Sequence, residues 1–548
     1  MAGILLPLSI LFFTTPERDE SYQALAALNY KQSPLAPLSY FIGYIWFKFF
    51  GETILNLRVL QLICHIVAIG LGCRFFLRKT SDKLWTAILF MTLTTASQVW
   101  AMHIYNWDTG CYPFAMLYFL ATIAFWEHPV LKTTLWLAAA STALSLARIP
   151  CAACIPLTAI IVIWRYKHCI FKKGFPYMIL YLAVTTSLCI LFLLTIYGGI
   201  SGVEQVFSPE NIITGHGPDA IERYIDRVKV ILPQLSAESI LPLYCMVWAY
   251  VAVNLRVNRI KAMIIMLAGM EALLLVLTYI MHVHTFFCLL FVPFIFLWLY
   301  PSFNSLRHTG KFGTIGYEKW LTLLIVCIPI IGSDGFLERF MVLPTLPVVA
   351  TFTYGDRALN RFIKAFIVTT FIAASSMLCV KDIFYISQGI HHVGDKLPRL
   401  RGILVKDESA INLESQAATI AQLRKEGLKI AVIGDSRYAG AFTFDLDMLP
   451  DLHIFHLGTL AEDLPKFKSR IDKFDALMVF YPVYYMQDAI NCTVNQTDND
   501  NFEQYLLSEG FEKSTVTYPN YVIYMRPEKI TKKADSIFGT SSLHDNIK

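Results

Sequence analysis

The sequence predicts a mainly α, polytopic membrane protein with a small α/β extramembrane domain at its carboxy-terminal end. Three observations predict it: an apolar composition, apolar stretches whose connecting loops alternate in charge, and a change of pattern near residue 381. Of 548 residues, 55% are hydrophobic and 16% charged, against about 25% charged in soluble domains. Mean hydropathy is +0.51. This balance excludes a disordered chain, a nucleic-acid-binding module and an ordinary cytosolic enzyme. The net charge of +5 is too small to name a polyanionic partner.

The apolar stretches lie near residues 2–14, 55–77, 84–103, 110–126, 133–147, 150–164, 175–198, 241–255, 262–281, 285–300, 319–332, 339–354 and 363–380. They make about thirteen candidate spans. The first is short and has neither a basic n-region nor a small-residue cleavage site, so it reads as a helix rather than a signal peptide. One set of loops carries Arg74, Arg78, Lys79 and Lys83, then Lys132, then Arg165, Lys167, Lys172 and Lys173, and continues to Arg357, Arg361 and Lys364. The alternate loops hold Glu17, Asp19 and Glu20, then Asp108, then Asp334 and Glu338. Lys and Arg mark the cytoplasmic side. The amino terminus is therefore expected inside, and an odd number of spans puts the carboxy-terminal region outside.

The expected units are a membrane domain over 1–380, an α/β domain over 381–527 and a polar tail over 528–548. The α/β reading rests on an amphipathic stretch near 411–426, strand-like runs at Lys429–Gly434, Ala476–Phe480 and Tyr521–Met525, and their alternation. Of twelve cysteines only Cys492 lies in a clearly polar region. Cys151-Ala152-Ala153-Cys154 has zinc-like spacing but no second pair nearby, so these thiols read as small hydrophobes. Gly434-Asp435-Ser436 reads as a strand-to-helix turn, His391-His392 as a solvated linker, and Asn491 and Asn495 as glycosylation sequons.

Charged groups near the outer face are costly unless they pair or work. Asp19 and Glu20 directly follow the first apolar stretch and precede helical periodicity over 23–30, so Asp19 also reads as a helix cap. Ser33-Pro34-Leu35-Ala36-Pro37 then leads into an apolar, aromatic-rich segment over 38–50 that reads as a helix on the outer surface. Next, Gly51-Glu52-Thr53-Ile54-Leu55-Asn56-Leu57-Arg58 opens the following span.

This order resembles the GT-C glycosyltransferase superfamily, in the branch of protein O-mannosyltransferases and lipid A aminoarabinose transferases. Asn106-Trp107-Asp108 stands where that branch has its second outer-face aspartate. Leu146-Ala147-Arg148-Ile149-Pro150 falls where relatives carry a lysine, so arginine here is a departure. Arg339, followed by Pro344 and Pro347, is similar to the branch's Arg-x-x-x-x-Pro-x-x-Pro span. The likeness covers most of the chain, and order and spacing carry it.

The resemblance implies a polyprenyl-phosphate sugar as donor and an acceptor hydroxyl on a lipid, glycan or protein. Within it the first outer loop, 15–54, is catalytic. Asp19 is the expected base, with inversion at the anomeric carbon. Glu20 would orient acceptor or base, and Asp108 would hold hydroxyls of sugar or acceptor. Arg58, Arg148 and Arg339 are candidates for the lipid phosphate, because a guanidinium fork suits it. His103, His282 and His284 are further substrate-binding candidates. No metal or other cofactor is expected, and the expected site is a bacterial inner membrane with the active face in the periplasm. A transporter or flippase, or a polymerase or ligase of lipid-linked glycans, remains the alternative. The first should show paired half-helices or symmetric repeats. The second would not call for an acidic pair after the first span.

Overall fold

The computed structural model describes residues 18–93, 110–207, 297, 300, 390–394, 396–434, 437–449, 468, 470–480, 486–487, 492–493, 496–514 and 521–527. The amino-terminal part is helical: α1 (Arg18–Leu28), α2 (Pro37–Phe50), α3 (Ile54–Thr80), α4 (Lys83–Leu93), α5 (Tyr112–Glu127), α6 (Leu131–Ala147), α7 (Cys154–Arg165), α8 (Phe175–Tyr197) and α9 (Ile200–Val206). Among the described residues two helical runs are long and apolar enough to cross a membrane, Ile54–Thr80 and Lys167–Tyr197.

Local chemistry sets the helix boundaries. Thr53 caps α3 by accepting from the Asn56 N–H at 3.2 Å. Arg78 and Lys79 lie in its last turn, where cations suit the dipole. Proline opens α2, α5 and α8, where its missing N–H costs nothing. α5 packs between α3 and α6, and α8 packs on α6. Polar side chains join the bundle from within: Tyr118 Oη lies 2.6 Å from Thr158 Oγ1, linking α5 to α7.

Among the described residues, basic loop residues gather at one end of this bundle. Lys79 at the end of α3 binds Glu127 at the end of α5, at 2.5 and 2.7 Å. Arg165, ending α7, donates to the Trp126 carbonyl at 2.9 Å, and the Tyr166 hydroxyl to that of Pro129 at 2.8 Å. The opposite end holds α1 and α2. There Ser39 Oγ donates to the Ala147 carbonyl at 2.8 Å, Ile149 N–H to Leu35 at 3.0 Å, and Tyr197 Oη to Ser33 at 3.2 Å.

The carboxy-terminal part contains β1 (Ile390–His392), β2 (Leu404–Lys406), α10 (Asp407–Lys425), β3 (Ile430–Gly434), α11 (Arg437–Phe444), β4 (Asp447–Met448), β5 (Ala476–Phe480), β6 (Met486–Gln487), β7 (Cys492–Thr493), α12 (Gln496–Ser508), β8 (Glu512–Lys513) and β9 (Tyr521–Met525). Five strands form one sheet in the order β4-β3-β5-β9-β8, parallel across β4-β3-β5 and antiparallel at β9 and β8. Alternate residues feed two cores. Val432, Met478 and Ile523 point to one, and Ala431, Ile433, Leu477, Val479 and Tyr524 to the other. α12 covers the second through Phe502 and Leu506. The first contains α10 and α11 and also Ala24, Ala27, Phe47, Ile54, Leu57 and Leu60 from α1–α3. One sheet face is therefore continuous with the bundle.

Two sequence readings are corrected here. His391 and His392 are not linker but strand, because β1 pairs antiparallel with β2 from His392↔Leu404 to Ile390↔Lys406. Asp19 does not cap its helix, because Arg18 before it is already helical and Asp19 lies within α1. The sequons Asn491 and Asn495, and Asp435-Ser436, lie outside the described residues.

Candidate functional site

The site is built where α1, α2, α3 and the end of α6 meet. Among the described residues α1 runs over Arg18–Leu28, and it packs on its neighbours. Its polar anchor is Glu20. Arg58, one turn inside α3, donates Nε–H to Glu20 Oε1 at 2.7 Å and Nη2–H to Oε2 at 2.8 Å. Both side chains are 0% exposed. Such a bidentate pair is directional as well as charged. It fixes both the height and the rotation of α1 against α3, and Asp19 is the preceding residue on the same turn.

The Arg58 guanidinium thus faces a carboxylate, and both Glu20 oxygens face Arg58. The pair ties α1, the helix carrying Asp19, to α3.

Arg148 is delivered to the same end by a different route. It is the carboxy-terminal cap of α6, with its N–H on the Leu144 carbonyl at 3.2 Å. The chain then turns into a short 3-10 helix, Ile149–Ala153. The guanidinium is buried and lies within electrostatic range of Cys151 and Tyr40. The structure thus brings Glu20, Arg58 and Arg148 to one end of the bundle, together with the backbone of Asp19. Asp108, Arg339, His103, His282 and His284 lie outside the described residues.

Sequence reading missed a polar stripe on α3. Gln61 and His65 follow Arg58 at three and seven residues, the spacing of one helix face. Both are buried. His65 stands edge-on to Tyr112 with ring centroids 4.9 Å apart. Neither the Gln61 amide nor His65 Nε2 has a hydrogen-bond partner among the described residues. The spacing from Arg58 was the available signal, and the apolar residues between concealed it.

The junction ahead of α3 is tightly fastened. Asn56 Nδ2 donates to the Gly51 carbonyl at 2.9 Å and to that of Phe50 at 2.5 Å, while Trp46 Nε1 donates to the Asn56 carbonyl at 2.8 Å. These bonds fix α2 against the start of α3 and so fix the depth of Arg58.

No protein-family model matches the chain, and no curated protein matches it. Among solved structures it is similar to ArnT from Cupriavidus metallidurans bound to undecaprenyl phosphate, with a TM-score of 0.52, 11% identity and 97% of each chain covered. The apo state of the same protein gives a TM-score of 0.49 at 13% identity, over 98% of this chain and 97% of the other. At these identities the likeness concerns fold. Over nearly its whole length, then, the chain shares the fold of ArnT.

Proposed function

We propose that the chain is an integral-membrane glycosyltransferase that moves a sugar from a polyprenyl-phosphate donor to an acceptor hydroxyl at the outer face of a bacterial inner membrane. The carrying observation is the ArnT-like fold over 97% of the chain, with an acidic helix held at one end by the Glu20–Arg58 pair. The solved relative holds undecaprenyl phosphate, which supports a lipid phosphate as the leaving group here.

In this reading Asp19 accepts the proton of the acceptor hydroxyl. The acceptor oxygen forms a bond to the anomeric carbon as the bond from that carbon to the phosphate oxygen breaks. In-line attack inverts the configuration, and the electron pair leaves with the lipid phosphate. That leaving group needs cations rather than a general acid. Arg148 supplies one and Arg339 is the second candidate; Asp108 holds hydroxyls of sugar or acceptor, with His103, His282 and His284 as further contacts. The chemistry so described needs no metal ion. The active face and the carboxy-terminal α/β unit lie in the periplasm, because the opposite end of the bundle carries the basic loops.

The test is retention of radiolabelled undecaprenyl phosphate by the protein in nanodiscs. Wild type should bind it, and Arg148→Gln should weaken binding by roughly tenfold or more, the scale of one charged hydrogen bond. Absence of binding by the wild type would contradict the reading and leave a different membrane function on the same fold.

A further inference from the structure

We propose that the carboxy-terminal α/β unit is a positioning element for α1, with Arg399 as the positioning residue that ties the two together. This rests on the reading of Asp19 as base and adds to it a partner from the far end of the chain.

Among the described residues α1 is held on three sides. Glu20 faces α3, and Ala26 packs with Ala36 and Tyr40 of the α2 region. The remaining side is closed from more than four hundred residues further along: Ala24 and Ala27 share a core with Ala441 and Phe442 of α11. The alanines allow α11 to approach α1 closely. Beside them Tyr22 meets Tyr438 edge-on, with ring centroids 4.9 Å apart. Without α11 this apolar face of α1 would be open to water, and the helix would lose one of the supports found among the described residues.

Arg399 fastens this contact to the membrane bundle. Its guanidinium lies 2.7 Å from Asp445 Oδ1, at the end of α11, and 3.6 Å from Glu52 Oε2, just before α3. It also donates to the Phe442 carbonyl at 2.9 Å and covers the Phe442 ring at 4.9 Å. Nearby, Leu55 of α3 fills the space a side chain at Gly402 would need, and φ there is +84°. The ion pair and this apolar contact set how deeply α11 sits on α1. The end of α1 that carries Asp19 is therefore referenced to two bodies, α3 through Glu20 and the sheet through α11.

A residue that acts only by holding the general base should change turnover more than donor affinity. The phosphate contacts belong to the bundle, whereas a misplacement of about 1 Å at the reacting group costs rate. The experiment uses the full chain in nanodiscs, comparing wild type, Arg399→Ala and Arg399→Lys by hydrogen exchange and by donor kinetics with a polyprenyl-phosphate sugar. Arg399→Ala should speed exchange over residues 18–28 by roughly tenfold while β5 stays protected. It should lower kcat by about tenfold to a hundredfold with the donor KM unchanged. Arg399→Lys, which keeps one charge contact, should fall between. Unchanged exchange over 18–28, or faster exchange with kcat intact, would overturn the proposal; so would loss of protection in β5, since the unit would then simply have unfolded. If wild type turns over no donor, the glycosyltransferase reading fails, while exchange over residues 18–28 still decides by itself whether Arg399 holds α1.

Discussion

Glu20 and Arg58 form a contact whose value depends on both partners being present. With neither side chain exposed, removing one strands a charge away from water. Glu20→Gln should therefore destabilise the protein by about 3–5 kcal/mol, read as a fall in thermal unfolding temperature in detergent. The double change Glu20→Leu with Arg58→Met should recover most of that stability, because a well-packed apolar pair replaces an ion pair at little cost. Failure of the double variant to recover would mean that the pair is held by further contacts. Gln61 runs the other way. Its amide is buried without a partner among the described residues, so Gln61→Leu should stabilise by about 1–3 kcal/mol. A loss of stability would show that the amide is satisfied in the membrane. That Arg58 stands near the start of a long apolar helix was legible in the sequence. Its partner was not: thirty-eight residues separate the pair, and a phosphate and a glutamate ask the same geometry of a guanidinium.

At the scale of elements, short signals placed long helices and strands well. Thr53 begins α3 by its cap, and Thr53→Ala should cost about 1 kcal/mol in thermal unfolding. The strand runs predicted near 430, 476 and 521 coincide with β3, β5 and β9, because buried strands flanked on both faces read as continuous apolar runs. β1 was illegible for the converse reason: Ile390-His391-His392 has no apolar pattern, and its strand geometry comes from pairing with β2. Gly434 ends β3 with φ of +102° and is pressed against the Phe480 carbonyl of β5, leaving no room for a Cβ. In the α/β unit Tyr505 is pushed up to about 12, first by burial and then by the nearby carboxylates Glu509 and Asp472. The folded state thus keeps Tyr505 neutral where the unfolded chain already ionises. Its contribution to stability is whole below pH 10 and is lost as pH rises from about 10 to about 12. Alkaline unfolding of wild type and Tyr505→Phe should diverge in that window, and coincident curves would contradict the assignment.

For the whole molecule, composition and loop charge identified a polytopic membrane protein before any contact was known. Lys79 and Arg165 of the basic set gather at one end, while Glu20 of the acidic set lies at the other with Arg58 and Arg148. The continuity of the α/β unit with the bundle was not legible. It depends on Ala24, Ala27 and Ala441, residues too small and too common to advertise an interface. The fold likeness to ArnT joins these parts into one architecture, and the central claim is that this architecture transfers a sugar from a lipid phosphate. The most direct measurement is turnover of a panel of polyprenyl-phosphate sugars by the full chain in nanodiscs, supplemented with membrane extract as a source of acceptor, for wild type and Asp19→Asn. The account predicts that wild type consumes one donor and that Asp19→Asn slows it by about 10²- to 10⁴-fold with the donor still bound. Equal turnover by both proteins, or none of any donor by the wild type, would contradict it.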